Sequence, residues 1–192
     1  MKNLSLVVIF SLCVAHTSCG QHNGHTTIEN ASAKKAVVLP DLGKVNTETK
    51  KQLTSLSVAY FSLKDALVAT DAQTTSDKAK NFLEVLKTVD FLKMSTKQQE
   101  FFSPLFVTIE EDAKHIVSNV EIGHQRGHFY RLSNDMFATL KAFKANKATI
   151  YQQFCPMAFD DKGAFWLSDK KEIRNPYFGD KMLKCGKVTD TF

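Results

Sequence analysis

The four cysteines, Cys13, Cys19, Cys155 and Cys185, do not form the tight, repeated CxxC pairs of a zinc ribbon. The chain also lacks a glycine-rich phosphate loop, a nucleophile elbow, an HExxH pattern and a coherent acid pair, so nothing in it argues for an enzyme. No block of basic charge is present. The net charge of +5 over 192 residues comes from lysines scattered among acids, which reads as solubility rather than nucleic-acid binding. After the N-terminal run Leu4 to Ala15, no apolar stretch is long enough for a transmembrane helix. There is no internal repeat.

That N-terminal run is itself too short to span a bilayer. With Lys2 before it and small residues after it, it predicts a secretory signal peptide over residues 1–19 and hence an exported chain. The small residues end on Cys19, so the segment also reads as a lipoprotein signal with Cys19 carrying the lipid; plain secretion is the alternative. On the first reading the only membrane attachment is that lipid, and the location is the periplasm or cell envelope. Residues 20–46, with His22 and His25 among Ser, Thr, Asn and Lys, have no apolar periodicity and read as a flexible tether. Residues 47–192 remain as one domain.

The domain is expected to be mainly α: an antiparallel four-helix bundle over 47–145, followed by a small C-terminal element, 146–192, that contains a β-hairpin. Asn46-Thr47 offers an N-cap, and Leu53, Leu56, Tyr60, Leu63 and Leu67 mark one helical stripe to about residue 69. Thr70 to Thr75 reads as a polar link, after which Ala79, Phe82, Leu83, Leu86 and Val89 mark a second helix. Ser95-x-x-Gln98 is a capping box that predicts a short turn of helix, and Ser103-Pro104 predicts a separate start for the third helix, running to about 120. Ile122, Phe129, Leu132, Met136, Leu140 and Phe143 define the fourth, over 121–145. Residues 149–154 and 164–167 are aromatic and β-branched, and Asp160 to Gly163 is a turn between them. Asn175-Pro176 predicts a short helix over Tyr177 to Leu183, and Lys187 to Phe192 a third strand.

Two constellations carry chemistry. Cys155-Pro156-Met157 and Met182-Leu183-Lys184-Cys185-Gly186 pair thiolates with thioethers, and such soft ligands select Cu(I) or a related metal. If the C-terminal element folds back on itself, Cys155, Met157, Met182 and Cys185 form a four-sulfur site; a disulfide between the two cysteines, with the methionines in the core, is the alternative. His124 and His128 stand at i and i+4 on the edge of the buried face of the fourth helix. A turn near 120 would bring His115 close to His124, so the three histidines are a second candidate metal site. Arg126 is expected to pair with a carboxylate or a helix end, and Trp166 to be the core of the β-element.

At these residues the chain resembles the bacterial periplasmic domain of unknown function 3347. The likeness rests on Tyr60 to Val68, on Gln125 to Ser133, and on Tyr151, Cys155 to Met157, Trp166 to Ser168 and Ile173 to Gly186. The resemblance covers about residues 47–192. Such domains occur as envelope lipoproteins and fused to the adaptor subunits of copper and heavy-metal efflux systems, which implies metal handling and an efflux adaptor as partner. The ends of the C-terminal element also resemble the small heavy-metal-binding domain found beside copper-transporting ATPases, with Ala158 where that domain has histidine and with one closing cysteine rather than two. The expected function is buffering a soft metal or delivering it to an efflux system; the alternative is an envelope interaction module without metal, stapled by a Cys155–Cys185 disulfide.

Overall fold

The computed structural model describes residues 39–192. The signal segment, Cys19, His22 and His25 lie outside the described residues. Residues 39–46, assigned to the tether from sequence, lie against the bundle instead: Leu42 is buried, and Leu39 and Val45 pack on the core beside it. Gln98 fixes this stretch, its Nε2 donating to the Leu42 and Lys44 carbonyls at 3.0 and 3.2 Å. The folded body therefore begins before the first helix.

Helix α1 (Thr47–Val68) starts where the Asn46 side chain accepts the Thr49 N–H at 2.8 Å, and its whole predicted stripe, Leu53 to Leu67, is buried. Thr70 adopts a left-handed backbone, φ 57°, which reverses the chain. Asp71 then caps α2 (Ala72–Leu86), so residues 72–75 are its first turn rather than a link. The capping box at Ser95 and Gln98 is present, but it opens all of α3 (Thr96–Ser118), which runs through Pro104 without restarting. A proline inside a helix removes one N–H and crowds the preceding turn. Here Phe102 on one side and Ile109 on the other are both fully buried, so burial holds both halves on one core, and the Ser103 hydroxyl bonds back to the Gln99 carbonyl rather than capping. Helix α4 (Ile122–Phe143) completes the set. Each helix packs on the next, and α4 returns to α1, giving the expected antiparallel bundle.

The C-terminal element is a three-stranded antiparallel sheet, β1 (Tyr151–Cys155), β2 (Ala164–Ser168) and β3 (Lys187–Thr191), in the order β2-β1-β3. The hairpin turns through Ala158–Asp161, where Phe159, Asp160 and Asp161 are left-handed. The helix expected over 177–183 shrinks to one 3₁₀ turn, Gly179–Met182. Asn175 does cap, accepting the Tyr177 N–H at 2.8 Å, but Gly179 at φ 56° interrupts the helical run.

Strand β2 is an edge, and an edge strand carries unpaired backbone groups that must find partners when buried. Two tyrosines supply them. The Tyr60 hydroxyl accepts the Leu167 N–H at 3.1 Å and pairs with the Ser133 hydroxyl of α4 at 2.7 Å, while the Tyr177 hydroxyl donates to the Phe165 carbonyl. Helix α4 also packs directly on β2. Bundle and sheet thus share one core, with Trp166 fully buried between them and edge-on to Tyr177, their ring centroids 5.9 Å apart.

Tyr60→Phe leaves a buried N–H without its acceptor, and we expect it to lower stability by about 1–3 kcal/mol, measured by urea unfolding with the single tryptophan as probe. Burial raises the ionisation of both Tyr60 and Tyr177 well above the ordinary tyrosine value. The unfolded chain releases those protons near pH 10 and the native chain keeps them, so stability falls as pH rises above about 10. In Tyr60→Phe that alkaline fall is shallower. At Gly179 an added Cβ would stand 2.1 Å from Thr70 Oγ1 on an already left-handed backbone. Gly179→Ala is therefore expected to cost at least about 1–2 kcal/mol in the same assay.

Candidate metal centre

The turn between α3 and α4 is tight because each end is capped locally. Gln125 Nε2 donates to the Ile116 carbonyl of α3 and to the Ala72 carbonyl of α2, at 3.1 and 3.0 Å. Glu121 caps the start of α4 by accepting the Gly123 and His124 N–H groups, which hold its carboxyl below the ordinary glutamate range. This closure sets the last turn of α3 beside the first two turns of α4. His115, His124 and His128 come together there, one nitrogen from each lying within 4.8 Å of the others. The His115 and His128 rings stack, 4.3 Å between centroids and 9° between planes, and His124 lies 4.5 Å from His128. His115 is exposed; the other two are half-buried. The predicted neighbour of His115 was His124, and the structure makes His128 the closer of the two.

One ring is fixed by a carboxylate. His128 Nδ1 stands 2.7 Å from Asp112 Oδ1, and the Arg131 guanidinium reaches the same oxygen, its Nη2 at 2.6 Å. Arg131 Nη2 also stands 2.5 Å from His128 Nδ1, so that nitrogen meets both an acceptor and a donor; in the tautomer that donates to Asp112, the Nε2 lone pair is left free. That is the carboxylate–histidine arrangement that orients metal ligands. Burial dominates the His128 ionisation and lowers it from the usual imidazole value, with Arg131 and His115 acting in the same direction and Asp112 against it. The ring is therefore held neutral, the form that binds a cation. Nitrogens on one tetrahedral ion with bonds of about 2.0–2.1 Å stand about 3.3 Å apart, so small side-chain rotations complete a three-nitrogen set. A cleft of about 350 Å³, bordered by Asp112, His115, Arg131 and Asp135, opens beside His115.

Asp112 was not singled out from the sequence, although it left a signal. It falls at helical spacing inside the buried stripe Ile109, Ala113, Ile116, and a buried acid on such a stripe demands a partner. Arg126 behaves as expected. It donates to the Pro176 carbonyl, to the Leu67 carbonyl at the end of α1 and to Thr70 Oγ1, at 2.8, 3.4 and 3.1 Å, and so joins α4, α1 and the C-terminal segment.

The ends of the C-terminal motif also meet. Cys155, fully buried at the end of β1, and Cys185, half-buried, hold their sulfurs 2.7 Å apart as free thiols. The Met157 main chain hydrogen-bonds the Cys185 thiol, and the Cys185 N–H donates to the Met182 carbonyl at 3.0 Å. The methionine side chains are less enclosed: Met157 is 48% exposed and Met182 half-buried. Thiolates sharing a tetrahedral ion at about 2.3 Å would stand about 3.8 Å apart, so this pair must open by about an ångström to admit one. Burial, with the neighbouring Cys155, pushes the Cys185 thiol up to about 11, away from the thiolate a metal requires.

The family model described as Protein of unknown function (DUF3347) matches residues 56–148, a span that holds Asp112 and all three histidines and stops before the cysteines. Neither the curated proteins nor the solved structures compared with it match the chain. Through its helical bundle the chain belongs to that family of unknown function, DUF3347.

Proposed function

We propose that the protein binds a borderline transition-metal ion, Cu(II) or Zn(II), through His115, His124 and His128. The observation that carries this reading is the convergence of three imidazole nitrogens within 4.8 Å across two helices, with Asp112 orienting one of them. Imidazole suits both ions, and an open site favours exchange over permanent burial. The biological setting is taken from the sequence: an exported chain, lipid-anchored through Cys19, that buffers the metal in the cell envelope or delivers it to an efflux adaptor.

A second reading keeps the soft-metal site first expected from the sequence, Cu(I) on Cys155, Met157, Met182 and Cys185. The meeting of residues 155–157 with 182–185 supports it; the close sulfurs and the exposed Met157 weigh against it.

The test is a titration of untagged, metal-free protein with Cu(II) and with Zn(II) against a chelator of known affinity. We expect one tightly held ion per chain, nitrogen hyperfine structure in the copper EPR spectrum, and release in acid, where protons compete with the metal for its ligands. His124→Ala with His128→Ala should weaken binding at least 100-fold, whereas His22→Ala with His25→Ala should leave it unchanged. Equal retention by wild type and the His124/His128 double variant would overturn the reading. Retention of Cu(I) by reduced protein, lost in Cys155→Ser with Cys185→Ser, would replace it by the soft-metal site.

Asp112→Asn tests the orienting contact separately. Loss of such a carboxylate costs about 10- to 100-fold in metal affinity. We expect that loss here with all three histidines intact, read by the same chelator competition.

A further inference from the structure

We infer that Cys155 and Cys185 are a site of oxidative modification, closed to an intramolecular disulfide by a disulfide-bearing oxidant, and that Cys185 is the sulfur that reacts first. The inference is independent of the histidine site. Both halves of the pair are anchored by their main chains. Cys155 is paired with Ala164 across β1 and β2, so its position is set by the central strand of the sheet. Cys185 is held by the buried Asn175, whose Nδ2 donates to the Cys185 carbonyl at 2.8 Å, and the Asn175 N–H donates to the Leu183 carbonyl at the same distance. At Gly186 the main chain comes so close to the sheet that an added Cβ would meet Trp166 at 2.9 Å and the Phe154 carbonyl at 3.0 Å. Two rigid anchors set the sulfurs 2.7 Å apart, and a bond at about 2.05 Å needs less than an ångström of movement.

Accessibility orders the chemistry, and because burial raises the Cys185 thiol its thiolate is scarce near neutral pH, so the first attack quickens as pH rises. Cys155 is fully buried and Cys185 is not. The Cys185 thiolate attacks one sulfur of the oxidant, forming a mixed disulfide and releasing the oxidant's other sulfur as a thiolate. The Cys155 thiolate then attacks the Cys185 sulfur and expels the second oxidant thiolate. The chain loses two electrons and two protons, and the oxidant's two sulfurs take them up as thiols. The product closes a loop between residues 30 apart that contains β2, Gly179 and Tyr177. It thereby ties down the segment that covers the sheet edge.

The test uses full-length protein, reduced, freed of reductant and exposed to oxidised glutathione, then alkylated under denaturing conditions and mapped by mass spectrometry. We expect one cross-linked peptide pair, Cys155 with Cys185, lighter by two hydrogens than its reduced parts. Its reduction should lower the melting temperature by about 5–15 °C. In Cys185→Ser the melting temperature should no longer depend on reductant, and in Cys155→Ala a glutathione adduct should accumulate on Cys185. Quantitative alkylation of both cysteines after oxidation would overturn the inference, as would a cross-link from either one to Cys13 or Cys19. An adduct on Cys155 in Cys185→Ser at the rate seen for Cys185 would overturn the order of attack.

Discussion

The Tyr60 hydroxyl joins a helical bundle and a three-stranded sheet into one structure. A sheet of three short strands has two edges and little apolar face. Its edge strand β2 is buried against α4, which strips water from its outward backbone groups. Tyr60 from α1 and Tyr177 from the C-terminal segment answer that cost with two hydroxyls, and Ser133 of α4 holds the first of them. Because the partners come from three separate parts of the chain, the bundle must be assembled before the edge is satisfied. Lys64 adds a fourth link: it is buried, its Nζ 2.8 Å from Asp65 and 4.0 Å from Asp169, just past the end of β2.

Several polar residues of the stretches through which the chain resembles its family take part in this interlock. Tyr60 and Lys64 reach β2 and the residue after it; Gln125 ties α4 to α2 and α3; Arg126 reaches Pro176; Ser133 supports Tyr60; Asn175 holds Cys185. Their chemistry is polar, but Gln125, Arg126 and Asn175 donate to backbone carbonyls and Lys64 is spent on the Asp65 and Asp169 carboxylates, which is the signature of architecture. His128 differs. Its partner Asp112 is a side chain that also takes Arg131, and its ring lies against two other imidazoles. Three imidazoles gathered at one end of the bundle are the feature on which the proposed cation site rests.

The bundle was legible because its stripes are long and regular: Leu53 to Leu67 and Phe129 to Phe143 each place one face in the core at every expected position. The boundaries were less so. Ser103-Pro104 carries a valid start signal, yet Phe102 and Ile109 are buried on either side of it, and tertiary burial outweighs a local signal that costs one hydrogen bond. Residues 39–46 lack periodicity, but three apolar residues among polar ones suffice when Gln98 binds the backbone between them. The i, i+4 spacing of His124 and His128 and the turn that brings His115 to them were visible in the sequence, whereas the meeting of Cys155 and Cys185 was expected only if the C-terminal element folds back on itself. What spacing could not supply was Asp112, a single acid hidden in an apolar stripe, or the exposure of Met157, which depends on how the hairpin turns.

The two constellations divide along the reactivity of their atoms. In a compartment that oxidises thiols, a dithiol is an unstable metal ligand, because each oxidation event removes two donors at once. Imidazole has no such liability, and its affinity is governed by protonation instead. In the proposed reading the roles are separate: the cysteines lie 2.7 Å apart at the seam of the sheet, and the histidines gather at the end of the bundle, with His115 on an open cleft. The sulfurs stand where a covalent bond would hold the C-terminal segment over the edge strand. The nitrogens stand where an ion can arrive and leave. Export, as proposed, would thus strengthen the histidine site by contrast: the same surroundings that consume the thiols leave the imidazoles free to work as ligands.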